Sequence, residues 1–384
     1  MAAAAASPRR YLDNAATTWP KPPEVLAAWE RAAREVGATA GRAAYTAAAE
    51  AGEIRRRARL AAARLLGADP TRVALPSGGT LALNVAIHGL VRPGDHVIAT
   101  AADHNATLRP LHWLAARGVI HLAIVPCDGL GRVDPAAVAA AWTPATRLVV
   151  CTHASNVTGA VQDAAALAAV THERGGLLVL DAAQTLGQRT LDVRACGADV
   201  VCAPAHKWLL APSGAAVLWA RAGVEPEPLV QGGTGTASES LDMPVEFADR
   251  LEAGTGDVPA LAGLAAAAEW LAARGLAAVG GSCRGLAAAC AARLRDVRGV
   301  RVFAAEDGAP IVSFTVADHD PAEVAAILEQ AAGIEVRSGF HCAARIHEHL
   351  GTLAGGTVRA SFGPFNTAAD VDALVATVAG LAAA

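Results

Sequence analysis

The feature that most constrains this fold is an alternation, from about residue 24 to 220, of short apolar runs with Ala-rich stretches of helical length. The runs with the length and residue types of strands are 73–75, 96–100, 119–125, 147–153, 176–184, 198–204 and 214–219. This alternation predicts a mostly parallel sheet with helices on both faces. The runs are apolar throughout because strands in such a sheet are covered on both sides.

The pattern changes after residue 258, where a long helical region is predicted to run to about 297. Short strands then follow in "VRVF", "PIVSFTV", "IEVRSG" and "TVRASF", with helices near 320–332 and from about 367. At 384 residues the chain is long enough for two domains. We expect an N-terminal segment packing with the small domain (1–22), a large domain (23–258) and a small α+β C-terminal domain (259–384).

Composition and charge argue against several classes of binding partner. The formal net charge is −4 and no basic face emerges, so nucleic acid is not an expected partner. No stretch reaches the roughly 20 apolar residues of a membrane helix, and "MAAAAASPRR" lacks the charge order of a signal peptide. The seven cysteines show no CxxC or zinc spacing. We therefore expect a cytoplasmic protein without a metal or a membrane partner, a disordered start and a flexible loop at 232–240.

Polar residues follow several of the predicted strands, at the edge where ligands collect in open α/β sheets. Gly79 and Thr80 come between a strand and a helix, where free backbone N–H groups would suit a phosphate. An ordinary βα turn is the commoner interpretation of that signal alone. The other residues at strand ends are His104, Asn156, Asp181 and Gln184. Asp181 could cap a helix or pair with a protonated ring nitrogen.

A lysine stands in the otherwise apolar stretch "VCAPAHKWLLAPSGAAVLW", on the turn between two predicted buried strands. Most lysines are simply exposed, but the neighbours of Lys207 are not a solvated charge run. A partly desolvated lysine has a lowered pKa and can form a Schiff base with a carbonyl group. Phosphate turn, His, Asp and Lys follow one another at successive strand ends. This order predicts pyridoxal 5'-phosphate, which needs an acid at its pyridine nitrogen.

Motifs along nearly the whole chain carry a family resemblance: "YLDNAATTWPKPPEV", "SNVTGAVQD", "DAAQTLG", "HKWLLAPSG", "GGTGTASES", "LEAGTGDVPALAGLAAA", "RSGFHCA" and "VRASFGPFNTAADVD". The sequence resembles the class V aminotransferase group of fold-type I pyridoxal-phosphate enzymes, and within it the SufS-like and NifS-like cysteine desulfurases. The resemblance implies an α/β fold: a large domain with a mostly parallel seven-stranded sheet flanked by helices, and a smaller α+β domain.

The resemblance also implies roles for individual residues. Lys207 would hold the cofactor covalently and act in catalysis with His104, which stacks on the pyridine ring. Around the ring, Asp181 would pair with the nitrogen, and Gln184 and Asn156 would lie near the phenolic oxygen. The phosphate would be bound by Gly79, Thr80 and His206, and by Thr255 from the other subunit of a homodimer. Arg359, with Asn156, would bind the substrate carboxylate through its guanidinium fork.

Cys342 is predicted to be the sulfur-accepting nucleophile. A buried structural cysteine is the alternative, as we expect for Cys127, Cys151, Cys202 and Cys290. However, "RSGFHCAAR" is a polar-flanked loop with a neighbouring His and nearby Arg on both sides. That electropositive setting favours the thiolate.

The sequence departs from the family pattern at three places. Pro204 stands where a Ser or Thr phosphate ligand is usual, Ala211 replaces a Gly before Pro, and Phe340 replaces a His of the common "HHCA". These departures bear on the identity of the substrate more than on the identity of the cofactor.

Three function hypotheses follow from the sequence. The first is a homodimeric cysteine desulfurase that converts L-cysteine to L-alanine and passes a Cys342 persulfide to an acceptor protein. The second is a related pyridoxal-phosphate enzyme: a selenocysteine lyase, another C–S lyase or a class V aminotransferase of a biosynthetic pathway. The third is a catalytically silent sulfur-carrier or assembly subunit.

Overall fold

The computed structural model describes residues 9–41 and 43–383, so most of the start predicted to be disordered lies outside the described residues. The strands are β1 (Arg10–Tyr11), β2 (Val73–Ala74), β3 (His96–Thr100), β4 (His121–Val125), β5 (Thr146–Thr152), β6 (Leu177–Asp181), β7 (Val200–Pro204), β8 (Ala216–Ala220), β9 (Val300–Phe303), β10 (Ile311–Val316), β11 (Ile334–Glu335), β12 (Arg337–Gly339) and β13 (Thr357–Ser361). Every apolar run predicted to be a strand overlaps at least one of these elements.

Helices connect most of the strands. They are α1 (Pro23–Arg31), α2 (Thr46–Leu66), α3 (Gly79–Leu90), α4 (Asn105–Ala116), α5 (Pro135–Ala140), α6 (Ala164–His172), α7 (Val193–Cys196), α8 (Phe247–Leu251), α9 (Val258–Arg274), α10 (Leu276–Arg295), α11 (Pro321–Ala332), α12 (Ile346–Leu350) and α13 (Ala368–Ala382). Aspartates cap several helix starts by accepting a backbone N–H, among them Asp134, Asp163 and Asp257. The start of α3 has no such side-chain cap.

The central sheet has seven strands in the order β2-β8-β7-β6-β5-β3-β4. Its strands run parallel except β8, which is antiparallel to both of its neighbours. Successive residues face opposite sides: Leu178 belongs to one buried apolar cluster and Val179 to the other. Both faces of the sheet are therefore covered. Each fully buried aliphatic side chain contributes roughly 1.5–3 kcal/mol to the free energy of folding. The predicted fold class is confirmed.

The smaller sheet is antiparallel in the order β12-β13-β10-β9, and α10, α11 and α13 pack around it. The N-terminal segment joins this part of the molecule: β1 pairs in parallel with β11, and Leu12 is buried in the same apolar cluster as Phe314. The described part of the predicted N-terminal segment thus packs against the small sheet.

The helical region predicted over 259–297 is two helices, α9 and α10, bent by 83° at their junction. Gly275 lies at this bend with φ 76°, in the left-handed region that favours glycine. Helix α9 packs on α1 and α2, and its apolar residues are buried with the core of the large sheet. We propose that the domain boundary lies at Gly275 instead of after residue 258, because α9 shares the large core.

No single helix in the described ranges is both long and apolar enough to cross a membrane. Helices α9 and α10 reach the required length and composition only as a bent pair.

Candidate active site

The site is built around the turn between β7 and β8, where Lys207 is half-buried. Burial lowers the pKa of the Lys207 amine to about 8; Asp181 opposes the shift, and Arg359 and Arg337 add to it. Ala211, one of the departures from the family pattern, is buried, and its N–H donates to the carbonyl of Ala205 at 3.1 Å. The Ala therefore closes the turn that presents the lysine.

The N-terminal segment holds this turn from outside the sheet. Thr18 Oγ1 donates to the carbonyl of Lys207 at 2.8 Å, and Lys21 Nζ donates to the carbonyl of His206 at 2.8 Å. Burial lowers the pKa of the Lys21 amine to about 7. Lysine occurs at only two positions in the chain, 21 and 207, and both lie at this turn. This contact was not predicted from the sequence.

A cavity of about 230 Å³ opens at the carboxyl ends of the parallel strands, in front of Lys207. The predicted site residues that line it are Gly79, Thr80, His104, Asn156, Asp181, Gln184, His206 and Lys207. Strand order explains the convergence, because neighbouring parallel strands end at one edge of the sheet. Arg337, from β12 of the small sheet, also lines the cavity and was not predicted.

One end of the cavity offers donors for an anion. Helix α3 begins at Gly79, which lines the cavity, and no side chain caps this start. The first backbone N–H groups of the helix are therefore available to an anion in the cavity. A Cβ on Gly79 would lie 3.0 Å from the ring of Pro204, so the small residue allows this close packing. Pro204 therefore acts as a packing residue in place of the usual Ser or Thr. His206 Nδ1 is buried with no hydrogen-bond partner among the described residues.

Two other residues that line the cavity supply a carboxylate and a neutral ring. Burial raises the pKa of the Asp181 carboxyl, and the charge of Lys207 partly opposes this. Asp181 Oδ1 accepts the N–H of Ala183 at 2.9 Å. His104 caps α4, and its Nδ1 accepts the N–H of Ala106 at 2.9 Å. Burial and nearby positive charges lower the pKa of His104 to about 4, so the imidazole is neutral.

The two side-chain amides of the cavity are fixed by the fold. Gln184 Nε2 donates to the carbonyl of Ala15 at 3.1 Å, and its Oε1 accepts the indole N–H of Trp208 at 2.7 Å. Asn156 Nδ2 donates to the carbonyl of His341 at 2.6 Å. Asn156 thereby links the lysine cavity to the loop that carries the candidate nucleophile.

Cys342 lies in that loop, between β12 and α12, and is half-buried. Arg337 Nη2 is 3.1 Å from Cys342 Sγ. The same arginine therefore contacts the thiol and lines the cavity of Lys207. In the six other cysteines, burial raises the pKa of the thiol. Their thiolates are scarce at neutral pH.

Arg359 is 1% exposed on β13 and does not line the cavity. Its Nη2 donates to Asp13 Oδ1 at 2.7 Å and its Nη1 to the carbonyl of Asn156 at 2.9 Å. Its Nε is buried with no hydrogen-bond partner in the described ranges. The Asp13 contact was not predicted, because no local pattern links residues 346 positions apart.

Thr255 is exposed in the loop between α8 and α9. It lines a separate cavity of about 250 Å³ together with Ser77 and Gly214, and it does not line the cavity of Lys207. The contact predicted for Thr255 is with the phosphate of the other subunit, and it stays a prediction.

Comparison with known proteins agrees with this geometry. The family model for Aminotransferase class-V matches residues 10–374. The chain belongs to the class V aminotransferase family. A probable cysteine desulfurase from Methanothermobacter thermautotrophicus is 34% identical over 97% of this chain and 94% of its own length. A cysteine desulfurase from Cronobacter sakazakii is 30% identical over 96% of this chain and 92% of its own. The family predicted from the motifs is confirmed.

Solved structures of class V aminotransferase relatives share the fold. The apo cysteine desulfurase from Thermococcus onnurineus matches with a TM-score of 0.90 and 27% identity, covering 98% of this chain and 95% of that one. The cysteine desulfurase CsdA from Escherichia coli, in an S-sulfonic acid form, matches with a TM-score of 0.85 and 30% identity, over 96% and 93% of the two chains.

Proposed function

We propose that this chain is a cysteine desulfurase, which takes sulfur from L-cysteine, releases L-alanine and carries the sulfur as a persulfide on Cys342. One observation carries the proposal: Arg337 lines the lysine cavity and also contacts Cys342 Sγ at 3.1 Å. A substrate held at Lys207 would therefore have a thiol close to its own sulfur. The names of the relatives support the same activity.

The cavity fits pyridoxal phosphate, the cofactor of this enzyme family. The uncapped start of α3, Thr80 and the unpartnered Nδ1 of His206 would bind the phosphate. Asp181 is the buried carboxylate that would face the pyridine nitrogen, and Lys207 is the amine that would hold the aldehyde. When bound, the cofactor supplies an electron sink next to the substrate Cα.

The residues of the chain perform the remaining steps. Lys207, whose amine pKa of about 8 lies near neutral pH, would move the Cα proton once it is free. His104, neutral and held by Ala106, would contact the pyridine ring as an uncharged group. Cys342 would attack the substrate sulfur as a thiolate, so that a new S–S bond forms as the substrate C–S bond breaks. The electron pair of the broken bond would stay on the substrate Cβ, which takes up a proton to become the methyl group of alanine. Arg337 would hold that thiolate.

Incubation of the purified, cofactor-loaded protein with L-cysteine tests the function directly. Alanine should form in step with bound persulfide or, with a reductant present, with sulfide. Loss of the cofactor absorbance without any alanine would support the related lyase or aminotransferase. A protein that binds no pyridoxal phosphate would support the silent sulfur carrier.

Arg359, whose Nη1 donates to the carbonyl of the cavity residue Asn156, is proposed to bind the substrate carboxylate. We expect Arg359→Gln to raise KM for L-cysteine by roughly 100-fold, since hydrogen bonds to charged groups contribute about 1.5–3 kcal/mol. Binding of cysteamine, which lacks the carboxylate, should change little. Both are measured as the shift of the cofactor absorbance on titration. Equal weakening for the two ligands would contradict this role, because the defect would then not depend on the carboxylate.

We also propose a homodimer in which Thr255 reaches the phosphate site of the other subunit. The exposure of the Thr255 loop and its distance from its own lysine cavity support this arrangement. Sedimentation should show a symmetric dimer. Thr255→Ala should weaken cofactor retention on dialysis, and Thr236→Ala, in the neighbouring Gly-rich loop, is the control that should not. A fully active monomer would refute the proposal.

A further inference from the structure

The loop that carries Cys342 has an unusual backbone. His341 and Cys342 have φ angles of 52° and 60°, so two successive residues with a Cβ occupy the left-handed region. That region costs free energy for any residue except glycine. Such a conformation persists only where surrounding contacts enforce it.

Three hydrogen bonds to other elements hold His341 and the carbonyl of Cys342 in this conformation. Asn156 Nδ2 donates to the carbonyl of His341 at 2.6 Å, and the N–H of Asn105 donates to the carbonyl of Cys342 at 2.7 Å. The third bond joins the side chain of His341 to the small sheet: His341 Nε2 and Thr357 Oγ1 are 2.9 Å apart. Of the three bonds, only this last one involves a side chain that belongs to the loop.

His341 stands next to the thiol but is not suited to exchange a proton with it. The side chain is 2% exposed, and its Nδ1 is buried without a partner among the described residues. Burial, with Arg359, Arg337 and His347 nearby, lowers the pKa of His341 well below its usual value. The ring is therefore neutral, and its contribution is its bulk and the bond to Thr357.

We propose that His341 is a positioning residue: its bond to Thr357 fixes the left-handed backbone that presents Cys342 Sγ to Arg337. The proposal rests on Cys342 being the sulfur acceptor. It differs from the acid–base role that a histidine beside a cysteine usually suggests. Removing the Thr357 hydroxyl would remove the side-chain partner of His341 Nε2, and the loop would then relax away from Arg337.

The chain contains a matched control for this bond. His347 Nδ1 and Thr352 Oγ1 are 2.7 Å apart, and His347 is also fully buried. The two bonds have the same chemistry, and the two rings lie 6.1 Å apart. Only the first belongs to the residue that precedes Cys342. Thr352→Val should therefore destabilise the protein much as Thr357→Val does, without moving the thiol.

The test compares alkylation of Cys342 by anionic iodoacetate and neutral iodoacetamide, with the modified peptide identified by mass spectrometry. The ratio of the two rates depends on the positive charge beside Sγ. A change in the exposure of the thiol affects both rates alike and therefore cancels in the ratio. We expect Thr357→Val to lower this ratio by roughly fivefold or more. Thr357→Ser, which keeps the hydroxyl, should retain the wild-type ratio, and so should Thr352→Val. This measurement needs no turnover, so it stands even if the protein fails to act on L-cysteine.

A second readout separates positioning from general damage. If the wild type releases alanine, Thr357→Val should lower kcat roughly tenfold and change KM less than about twofold, because substrate binding does not involve the thiol. His341→Asn tolerates the left-handed backbone but loses the bond to Thr357, and it gives the same test if the valine variant does not fold. An unchanged alkylation ratio in the folded variant, or an equal change in Thr352→Val, would overturn the proposal.

Discussion

Replacement of Lys207 by alanine is expected to abolish alanine formation from L-cysteine, with a loss of more than about 10³-fold. The variant should also lack the visible absorbance of covalently held cofactor. The reason is positional: Lys207 lies on the turn between β7 and β8, in front of the cavity lined by Asp181 and His104. Among the described residues, Lys207 is the one amine that lines that cavity, so no other amine there can hold the aldehyde or move the Cα proton.

Because the chain has only two lysines, a second experiment can identify which of them holds the cofactor. Only Lys21 and Lys207 can carry a reduced cofactor adduct on a side chain. Borohydride treatment of the wild type should place the label on the peptide containing Lys207. Lys21→Met is the matched control, because Lys21 Nζ is bound to Thr18 and to the carbonyl of His206. A label on Lys21, or near wild-type turnover by Lys207→Ala, would remove the basis of the assignment.

Replacement of Cys342 by serine should have the second-largest effect. Alanine formation from L-cysteine should fall by at least about 100-fold, because the hydroxyl is a far weaker nucleophile than a thiolate held by Arg337. Addition of L-cysteine should still perturb the cofactor absorbance, since Lys207 and Arg359 remain. Activity on selenocysteine should fall less, because selenium leaves more readily without a nucleophile.

Mass spectrometry identifies the residue that accepts sulfur. After treatment of the wild type with L-cysteine, the mass of one sulfur should appear on Cys342 and on no other cysteine. Cys127→Ser is the control: that half-buried thiol has its pKa raised to about 12 by burial and should not react. If the extra sulfur never appears, or the serine variant stays fully active on L-cysteine, the desulfurase proposal fails and the related lyase takes its place.

The large sheet was predictable from sequence because its strands are covered on both faces. A run such as "HVIAT" must be apolar throughout, and it forms β3 over the predicted residues. Periodicity could not reveal that α9 packs with the large core. Its composition is as Ala-rich as that of α10, and the 83° bend arises at a single glycine. The domain boundary therefore depends on tertiary packing.

The cavity was predictable where residues share a strand end. His104, Asp181 and Lys207 follow β3, β6 and β7, and the sheet itself brings them together. The sequence indicated Arg337 as one of the arginines near Cys342, and the structure places it 3.1 Å from Cys342 Sγ. Its position in the lysine cavity was missed because Arg337 lies in the other sheet, and no local pattern shows which strands of the two sheets meet.

The segment before α1 has a consequence for how the enzyme is made. Asp13 contacts an arginine 346 positions later in the chain, and Thr18 contacts the lysine turn 189 positions later. The large sheet can form once Ala220 has left the ribosome, but the small sheet requires Ser361. At translation rates of about 5–20 residues per second, roughly 140 further residues take roughly 7–30 s. During that interval the nascent chain has its lysine and its sheet, while β1 has no partner strand and Arg359 has not been synthesised. Closure of the site is therefore among the last events in the biogenesis of this protein.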